Sequence, residues 1–283
     1  MPSTNTVICG DCLDSLATLP AAEAGLIYLD PPFNTRLRRT ASTSRSVRHN
    51  REATTPATYA DSFGSAPDYV AYMRPRLLAM RRVLSAKGSL FFHSDWRMSH
   101  HVRLLLDDIF DLSNDEATTP GVFVNEIIWH YGLGASRAGH SLLSKHDVIF
   151  WYANSPEYTF NLIRQVPTAA MLRKYSHTDE QGRRYMNSYG KRYLLKGGKP
   201  LDDVWDLPAI APTASERAGY PTQKPLALLT RIIQLASNEG DLVLDPFCGS
   251  GTALVAAQRL NRKWIGIDAN PMAVEIATQR LGR

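Results

Sequence analysis

Two short stretches of the 283-residue chain place reactive side chain types in an order that could do chemistry. Leu26–Thr35 reads LIYLDPPFNT, an apolar run that delivers Asp30 to a turn stiffened by Pro31 and Pro32. Two prolines fix φ and carry no N–H, so the turn presents carbonyls rather than donors. An ionised Asp30 is an acceptor only, and Phe33 adds a flat apolar face. The Asp30 carboxylate and the Pro31 carbonyl could draw on the two hydrogens of an exocyclic amine on a nucleobase. That would pull the nitrogen toward tetrahedral geometry and free a lone pair otherwise delocalised into the ring, while Phe33 stacks on the base. Such a nitrogen could attack a methyl sulfonium in line, by positioning and electrostatics and without a covalent enzyme intermediate. The same residues also suit a plain turn that stops a strand.

The second stretch, Asp241–Ala256, reads DLVLDPFCGSGTALVA. A strand delivers Asp245, a turn follows at Gly249-Ser250-Gly251, and a helix begins near Thr252. Glycines allow close backbone approach, and a helix N-terminus offers free N–H groups. A Walker loop needs a Lys that is missing here. A dinucleotide fingerprint needs a third Gly where Leu254 stands, and Asp245 would repel phosphates. An acid beside this turn suits a ligand with a cationic amino acid end, and Asp268, closing the run Lys263–Ile267, could accept hydrogen bonds from both ribose hydroxyls. S-adenosylmethionine has an ammonium, a sulfonium and a ribose, and no phosphate. A tight strand–helix turn of an ordinary α/β protein stays open as the alternative.

The elements that must hold these turns alternate strand with helix, which predicts a mostly parallel sheet covered by helices. Strands are expected at Thr6–Gly10, Gly25–Leu29, Ser89–His93, Asn125–His130, Asp147–Tyr152, Asp241–Leu244 and Lys263–Ile267. Helices are expected at Asp68–Ser85, stopped by Gly88, and at Pro225–Ala236 and Thr252–Leu260; Pro75 implies a kink or a later start in the first. Length suits one large α/β domain with a modest insertion, and 44% apolar against 21% charged residues excludes wholesale disorder. No run approaches the ~20 apolar residues of a membrane span, no leader opens the chain, and three cysteines cannot form a disulfide framework. A soluble, cytoplasmic protein is expected. Cys9 and Cys12 form a lone CxxC at a strand end and read as structural. The histidines lack metal-ligand spacing, so no metal site is expected.

Charge is unevenly placed. The chain carries only +5 overall. Yet Arg36–Arg51 holds six arginines and no acid, and reads as a mobile basic loop. Arg164–Lys199 sets nine cations against Asp179 and Glu180, with Tyr175, Tyr185, Tyr189 and Tyr193 interleaved. A solvated face is the ordinary meaning of a charge run. Two of them around a near-neutral remainder favour a polyanion.

DPPF at 30–33, DPFCGSGT at 245–252 and TQKP at 222–225 together resemble the amino-group DNA methyltransferases, in the β-type order with the catalytic motif ahead of the cofactor motif. The resemblance covers nearly the whole chain. It implies an α/β, circularly permuted Rossmann-like methyltransferase sheet of seven mostly parallel strands, with a small target-recognition insertion. The chain opens and closes on strands that are successive in the unpermuted sheet. Residues 1–160 and 216–283 would form the catalytic and cofactor-binding parts, and 161–215 the target-recognition region. The catalytic set would be Asp30, Pro31, Pro32 and Phe33. S-adenosylmethionine would be held by Asp30, Asp245, Pro246, Phe247, Gly249, Ser250, Gly251, Thr252 and Asp268. Asp11 and Cys12 resemble the pair near its adenine, and Thr222, Gln223 and Lys224 the segment lining its methionine end. His93 to Asp95 match a weaker active-site motif without assigned roles.

The implied reaction is methylation of a base flipped from duplex DNA. Asp at the first catalytic position favours adenine N6 over cytosine N4, and a non-catalytic DNA-binding subunit is the reading of a different class. Cytosine-C5 chemistry needs an activated thiolate, for which Cys248 in the cofactor turn is poorly placed. DNA contacts are expected at Arg36, Arg38, Arg39, Arg173, Lys174, Arg183, Arg184, Lys191 and Arg192. The resemblance leaves open a homodimer and a cognate restriction endonuclease as partners.

Overall fold

The computed structural model describes residues 4–34, 37–40, 58–61, 63–111, 120–132, 140, 142–211 and 213–282. It divides into two compact units, Met1–Phe160 with Asp203–Arg283, and Asn161–Asp202. In chain order the first unit opens with β1 (Thr6–Cys9), α1 (Cys12–Thr18), β2 (Ala24–Leu29), β3 (Leu37–Thr40) and β4 (Thr58–Asp61). It continues through α2 (Ala66–Val83), β5 (Leu84–Ser94), α3 (Ser99–Asp111), β6 (Val122–His130) and β7 (His146–Ala153). The second unit holds α4 (Ala169–Lys174), β8 (His177–Thr178), β9 (Arg184–Ser188) and β10 (Lys191–Leu194). The chain then returns to the first unit with β11 (Val204–Asp206), α5 (Leu226–Ala236), β12 (Leu242–Asp245), α6 (Thr252–Arg259), β13 (Lys263–Asp268) and α7 (Pro271–Leu281).

One sheet of eight strands, ordered β1-β13-β12-β2-β5-β7-β6-β11, organises the first unit. Every strand is parallel to the others except β7, which pairs antiparallel with both β5 and β6. Seven strands were expected. The eighth, β11, is a three-residue edge whose Val204, Trp205 and Asp206 pair with Ile128, Trp129 and His130. β1 lies beside β13, with Thr6 opposite Ile265 and Cys9 opposite Asp268, the neighbourhood that the permuted order requires.

Central strands are apolar throughout because both faces are covered. Ile27, Leu29, Leu90, Phe92 and Phe150 point into a core shared with Leu16, Met73, Leu77, Met80, Leu106 and Phe110 of α1, α2 and α3. Alternation sends Leu26, Tyr28, Phe91, His93 and Trp151 to the opposite face, where they too are almost fully buried. α5 packs on β2 and β5, and α6 packs on both α5 and α7.

α2 differs from the sequence reading. Ser65 caps it in a reciprocal box with Asp68, so the helix begins two residues early at Ala66 and runs through Pro75 to Val83. Gly88 is no stop; it lies inside β5, where an added Cβ would meet the Ala24 carbonyl at 2.6 Å. Of the basic run at 36–51, only Leu37–Thr40 is described. It is a strand paired antiparallel with Thr58–Asp61, not a loop, and the rest lies outside the described residues. Cys12 opens α1 rather than merely following a strand. Burial pushes its thiol up to about 11, the reverse of what redox chemistry needs. All three cysteines are free. No helix of the described residues is long and apolar enough to cross a membrane, and no metal-binding group occurs among them.

Candidate active site

Three neighbouring parallel strands each bring a carboxylate to the same edge of the sheet. Asp30 follows β2, Asp245 ends β12, and Asp268 ends β13. The C-terminal edge of such strands is where open α/β sheets hold ligands. All three acids line one cavity of about 450 Å³, together with Tyr28, Pro32, Tyr72, Tyr220, Thr222, Gln223, Lys224, Phe247, Cys248, Gly249, Ser250, Thr252 and Asn270.

The cavity is electrostatically poised for a cation. Burial pushes the Asp245 carboxyl well above the usual carboxylate range, and the charges of Asp30 and Asp268 push it further. The Phe247 N–H, 3.1 Å from Asp245 Oδ1, opposes this. Asp268 is also raised by burial, against N–H bonds of 2.8 Å from Gly249 and Asn270. Buried acids crowded on one wall are stabilised by whatever positive charge enters. Burial likewise raises the Cys248 thiol far above its ordinary value, so it is no nucleophile.

Local backbone builds the turn. Gly249 (φ +49°) and Gly251 (φ +74°) adopt the left-handed conformation, and a Cβ at Gly251 would come within 2.9 Å of the Ala277 Cβ. Arg280 of α7 pins the turn from behind, donating to the Ser250 carbonyl at 2.6 Å and to both the Ser250 and Thr252 hydroxyls at 3.0 Å. No motif marks Arg280 in the sequence. Across the cavity, Thr222 holds φ +59°, a conformation disfavoured for a β-branched residue. Gln223 braces this segment, donating to the Glu216 carbonyl and accepting from the Ala218 N–H, both at 2.7 Å.

Lys224 is the cation already present. Its ammonium pairs with Asp30 Oδ2 and lies 5.2 Å from the centre of the Phe33 ring. Asp30 Oδ1 is buried and has no hydrogen-bond partner among the described residues. The carboxylate is thus held by one oxygen with the other open. Asn34, in the left-handed region at φ +57°, accepts from the Phe63 N–H at 2.8 Å and ties down the end of the turn.

Behind Phe33 lies a buried polar chain. The rings of Phe33 and His93 are 5.8 Å apart, tilted by 31°. His93 is fully buried on β5, with Nδ1 3.0 Å from the Tyr28 hydroxyl and Nε2 3.0 Å from Asp147 Oδ2. Burial raises Asp147, but the His93 contact, the Lys224 charge and the Tyr131 hydroxyl outweigh it, leaving the carboxyl below its ordinary value. His93 therefore supports the Asp30–Phe33 turn through the Phe33 ring. Asp95, two residues on, is buried and paired with Arg97.

Other expected residues fall elsewhere. Asp11 and Cys12 do not line the cavity. Asp11 accepts from the Leu13 N–H at 2.8 Å and pairs with Arg76 at 2.7 Å; Arg76 in turn covers the ring of Tyr72, the residue that reaches the cavity on that side. Pro31, Phe33, Pro246 and Gly251 belong to the turns but not to the lining. Tyr28, Tyr72, Tyr220 and Asn270 line it unannounced, because lone aromatics and amides carry no sequence signature.

In the second unit, Arg173 and Lys174 close α4, and β8, β9 and β10 form an antiparallel sheet. Arg183 is held by Asp179 at 2.9 Å, and Arg184 donates to the Leu172 carbonyl at 3.1 Å. Lys191 is exposed, and exposed Arg192 covers the Tyr185 ring at 4.2 Å. Arg36 lies outside the described residues; Arg38 and Arg39 are on β3.

A family model described as DNA methylase matches residues 24–279, nearly the whole chain. The chain belongs to the N6/N4 DNA methylase family. Its relatives include the Type II methyltransferase M.HpaI of Haemophilus parainfluenzae, 30% identical over 97% of this chain and 73% of that one. The Type II methyltransferase M.EcaI of Enterobacter cloacae is 29% identical over 91% of this chain, which spans 64% of that relative's length. Two solved structures share the fold. TTHA0409 of Thermus thermophilus, in its complex with S-adenosyl-L-methionine, superposes with a TM-score of 0.60 at 20% identity, covering 98% of this chain and 93% of that one. PvuII DNA methyltransferase, cytosine-N4-specific, gives 0.63 at 14% identity over 98% and 86%.

Proposed function

We propose that the protein transfers a methyl group from S-adenosylmethionine to N6 of adenine in duplex DNA. The observation that carries this reading is Asp30: one carboxylate oxygen fixed by Lys224, the other buried and open, beside a cavity walled by Asp245 and Asp268. The donor set fits S-adenosylmethionine. Asp245, Asp268 and Asp30 offer negative charge to a ligand bearing an ammonium and a sulfonium, and Asp268 keeps acceptor capacity for ribose hydroxyls. The glycine turn leaves room that a Cβ at Gly249 would narrow, at 3.1 Å from Tyr220. When bound, the cofactor supplies an electrophilic methyl carbon on sulfur.

The chain's own residues prepare the nucleophile. Asp30 Oδ1 accepts one amino hydrogen and the Pro31 carbonyl the other, so the nitrogen lone pair leaves conjugation with the ring. Phe33, backed by His93, stacks on the extruded base. Lys224 keeps the carboxylate from rotating its open oxygen away. Asp30, already hydrogen-bonded to the amino group, would take the surplus proton from the nitrogen once the methyl group had been transferred to it. Preorganised acceptors in a water-poor site commonly supply the largest share of such rate enhancement.

The basic second unit, with adjoining residues to about 215, is the target-recognition region in this reading. A cognate endonuclease belongs to it as well, since M.HpaI and M.EcaI are Type II methyltransferases by name. Cytosine N4 is the second reading. It needs the same two acceptors, and the PvuII enzyme of like fold is cytosine-N4-specific by name. Plasmid DNA incubated with the protein and methyl-labelled S-adenosylmethionine, then digested to nucleosides for mass spectrometry, separates the readings. Label in N6-methyladenine supports the proposal, and label in N4-methylcytosine replaces it. Absence of both label and cofactor binding leaves a non-catalytic DNA binder.

A further inference from the structure

The turn joining β9 to β10 has only two residues, Tyr189 and Gly190, with φ +49° and +70°. Positive φ at both positions is the tight hairpin geometry that favours Asn-Gly or Asp-Gly, and tyrosine is poorly suited to the first place. Folding gains nothing visible in return, because Tyr189 is 98% exposed. A disfavoured backbone therefore holds a large aromatic ring at the outermost point of the hairpin. Exposed cations continue along the hairpin: Lys191 comes next after the turn and Arg192 follows it, opposite Asn187, while Arg184 lies at the far end of β9. The unit from Asn161 to Asp202 carries nine Lys and Arg against Asp179, Glu180 and Asp202, a formal +6 that exceeds the +5 of the whole chain.

An aromatic tip flanked along the hairpin by Asn187, Ser188, Lys191 and Arg192, all polar or charged, matches a nucleic acid better than a protein surface. Protein interface cores are apolar and depleted of charge. Nucleic acids offer phosphates to the cations and π-faces to the ring. We infer that Tyr189 is a wedge contact to duplex DNA that stacks in a partly opened base step, presented by the β9–β10 hairpin, with Lys191 and Arg192 on the flanking phosphates. This rests on the DNA methyltransferase reading above.

The test uses the full chain as wild type, Tyr189→Asn, Tyr189→Phe and Lys191→Ala, titrated onto linearised plasmid DNA over a range of KCl concentrations. Melting temperatures and KM for plasmid methylation are measured alongside. Asn suits the left-handed turn, so Tyr189→Asn should melt no lower than wild type. It should bind DNA about tenfold more weakly at every salt concentration, with an unchanged slope, because the lost contact carries no charge. Tyr189→Phe should stay within about twofold, and Lys191→Ala should reduce the salt slope by about one. Wild-type affinity in Tyr189→Asn, or a loss accompanied by lower melting, overturns the inference. So does an equal loss in Tyr189→Phe, which would make the hydroxyl the contact. If wild type methylates plasmid and Tyr189→Asn does so with the same KM, only the hairpin inference falls. If wild type transfers no label to DNA, the parent reading falls with it.

Discussion

Replacing Lys224 by Met removes the cation that pairs with Asp30 and leaves its carboxylate charge on the cavity wall. Both side chains are largely buried, at 10% and 17% exposure, so water cannot take over the lost partner's role. Breaking a buried ion pair from one side costs about 3–5 kcal/mol, and the residual exposure of Asp30 places this pair near about 3. For a chain of this length, an unfolding entropy of roughly 2.1 cal/mol/K per residue converts that into a fall of about 5 °C in melting temperature. Asp30→Asn should cost less, about 1–2 kcal/mol, because the flexible lysine stem can carry its ammonium toward solvent. In the double variant neither charge remains unpaired. Its destabilisation should fall short of the sum of the singles by about 2 kcal/mol, since residues in direct contact are not additive. Urea denaturation of the four proteins, followed by circular dichroism at pH 7.5, gives each term at constant slope. If the singles add to within about 0.5 kcal/mol, the pair behaves like an exposed one. Lys224 would then not be what holds Asp30 with one oxygen open.

Three further outcomes follow from the same geometry. Asp30→Ala should lower single-turnover methyl transfer by at least about 10³-fold, since both the acceptor and its fixed geometry vanish, and should weaken S-adenosylmethionine binding as well, because the cavity loses an acid and Lys224 is left unpaired beside a cationic ligand. Asp245→Asn should melt higher than wild type at pH 8 without cofactor. Burial raises the Asp245 carboxyl in the folded state, so ionising it destabilises the fold as pH rises, and the advantage should shrink to nothing near pH 4. The same variant should lose affinity for S-adenosylmethionine at pH 8, and unchanged affinity by calorimetry would refute the cationic-ligand reading of the cavity. Gly251→Ala adds a Cβ 2.9 Å from that of Ala277 at φ +74°, and should cost about 2 kcal/mol in urea melts and weaken cofactor binding.

Most of the large sheet was legible because its central strands are buried on both faces and end in a turn or a carboxylate. β2, β12 and β13 are continuous apolar runs of this kind, and each ends beside the acid that matters. The helix through Pro75 was harder. A proline removes one N–H, but the apolar face of Met73, Leu77 and Met80 against the core outweighs that loss, and the capping box sets the start. Gly88 looked like a helix stop because nothing in the sequence says that β5 passes under the Ala24 carbonyl there. β8, β9 and β10 escaped notice since their residues are polar or half-buried on both faces and show no alternation to read.

At the site, the Asp30–Phe33 and glycine-rich turns declared themselves as short local motifs. Contacts between distant residues did not. Lys224 meets Asp30 across 194 positions, Arg280 reaches back thirty to Ser250, and Tyr28 joins His93 across 65. Each pairing depends on which strands become neighbours in the sheet, and residue type alone does not disclose that. Arg76, which meets Asp11 across 65 positions from α2, was hidden in the same way.

Among residues 161–202 only Gly198 is buried; a Cβ there would meet the Gln165 carbonyl at 2.2 Å. Elsewhere in that segment, apart from Asp179, whose largely buried carboxylate accepts from Gln181 and Arg183, and the positive-φ residues Gly182, Tyr189, Gly190 and Gly197, a substitution opens no core cavity, and its cost to folding stays within about 0.5 kcal/mol. The large sheet, by contrast, is packed on both faces and tolerates little. Mutational drift can thus explore much of the basic segment while the sheet stays fixed. On the proposed reading of that segment, a lineage built this way can diversify the sequences it marks without first acquiring stabilising substitutions, because the surface that varies and the core that sets the folding threshold are separate stretches of chain.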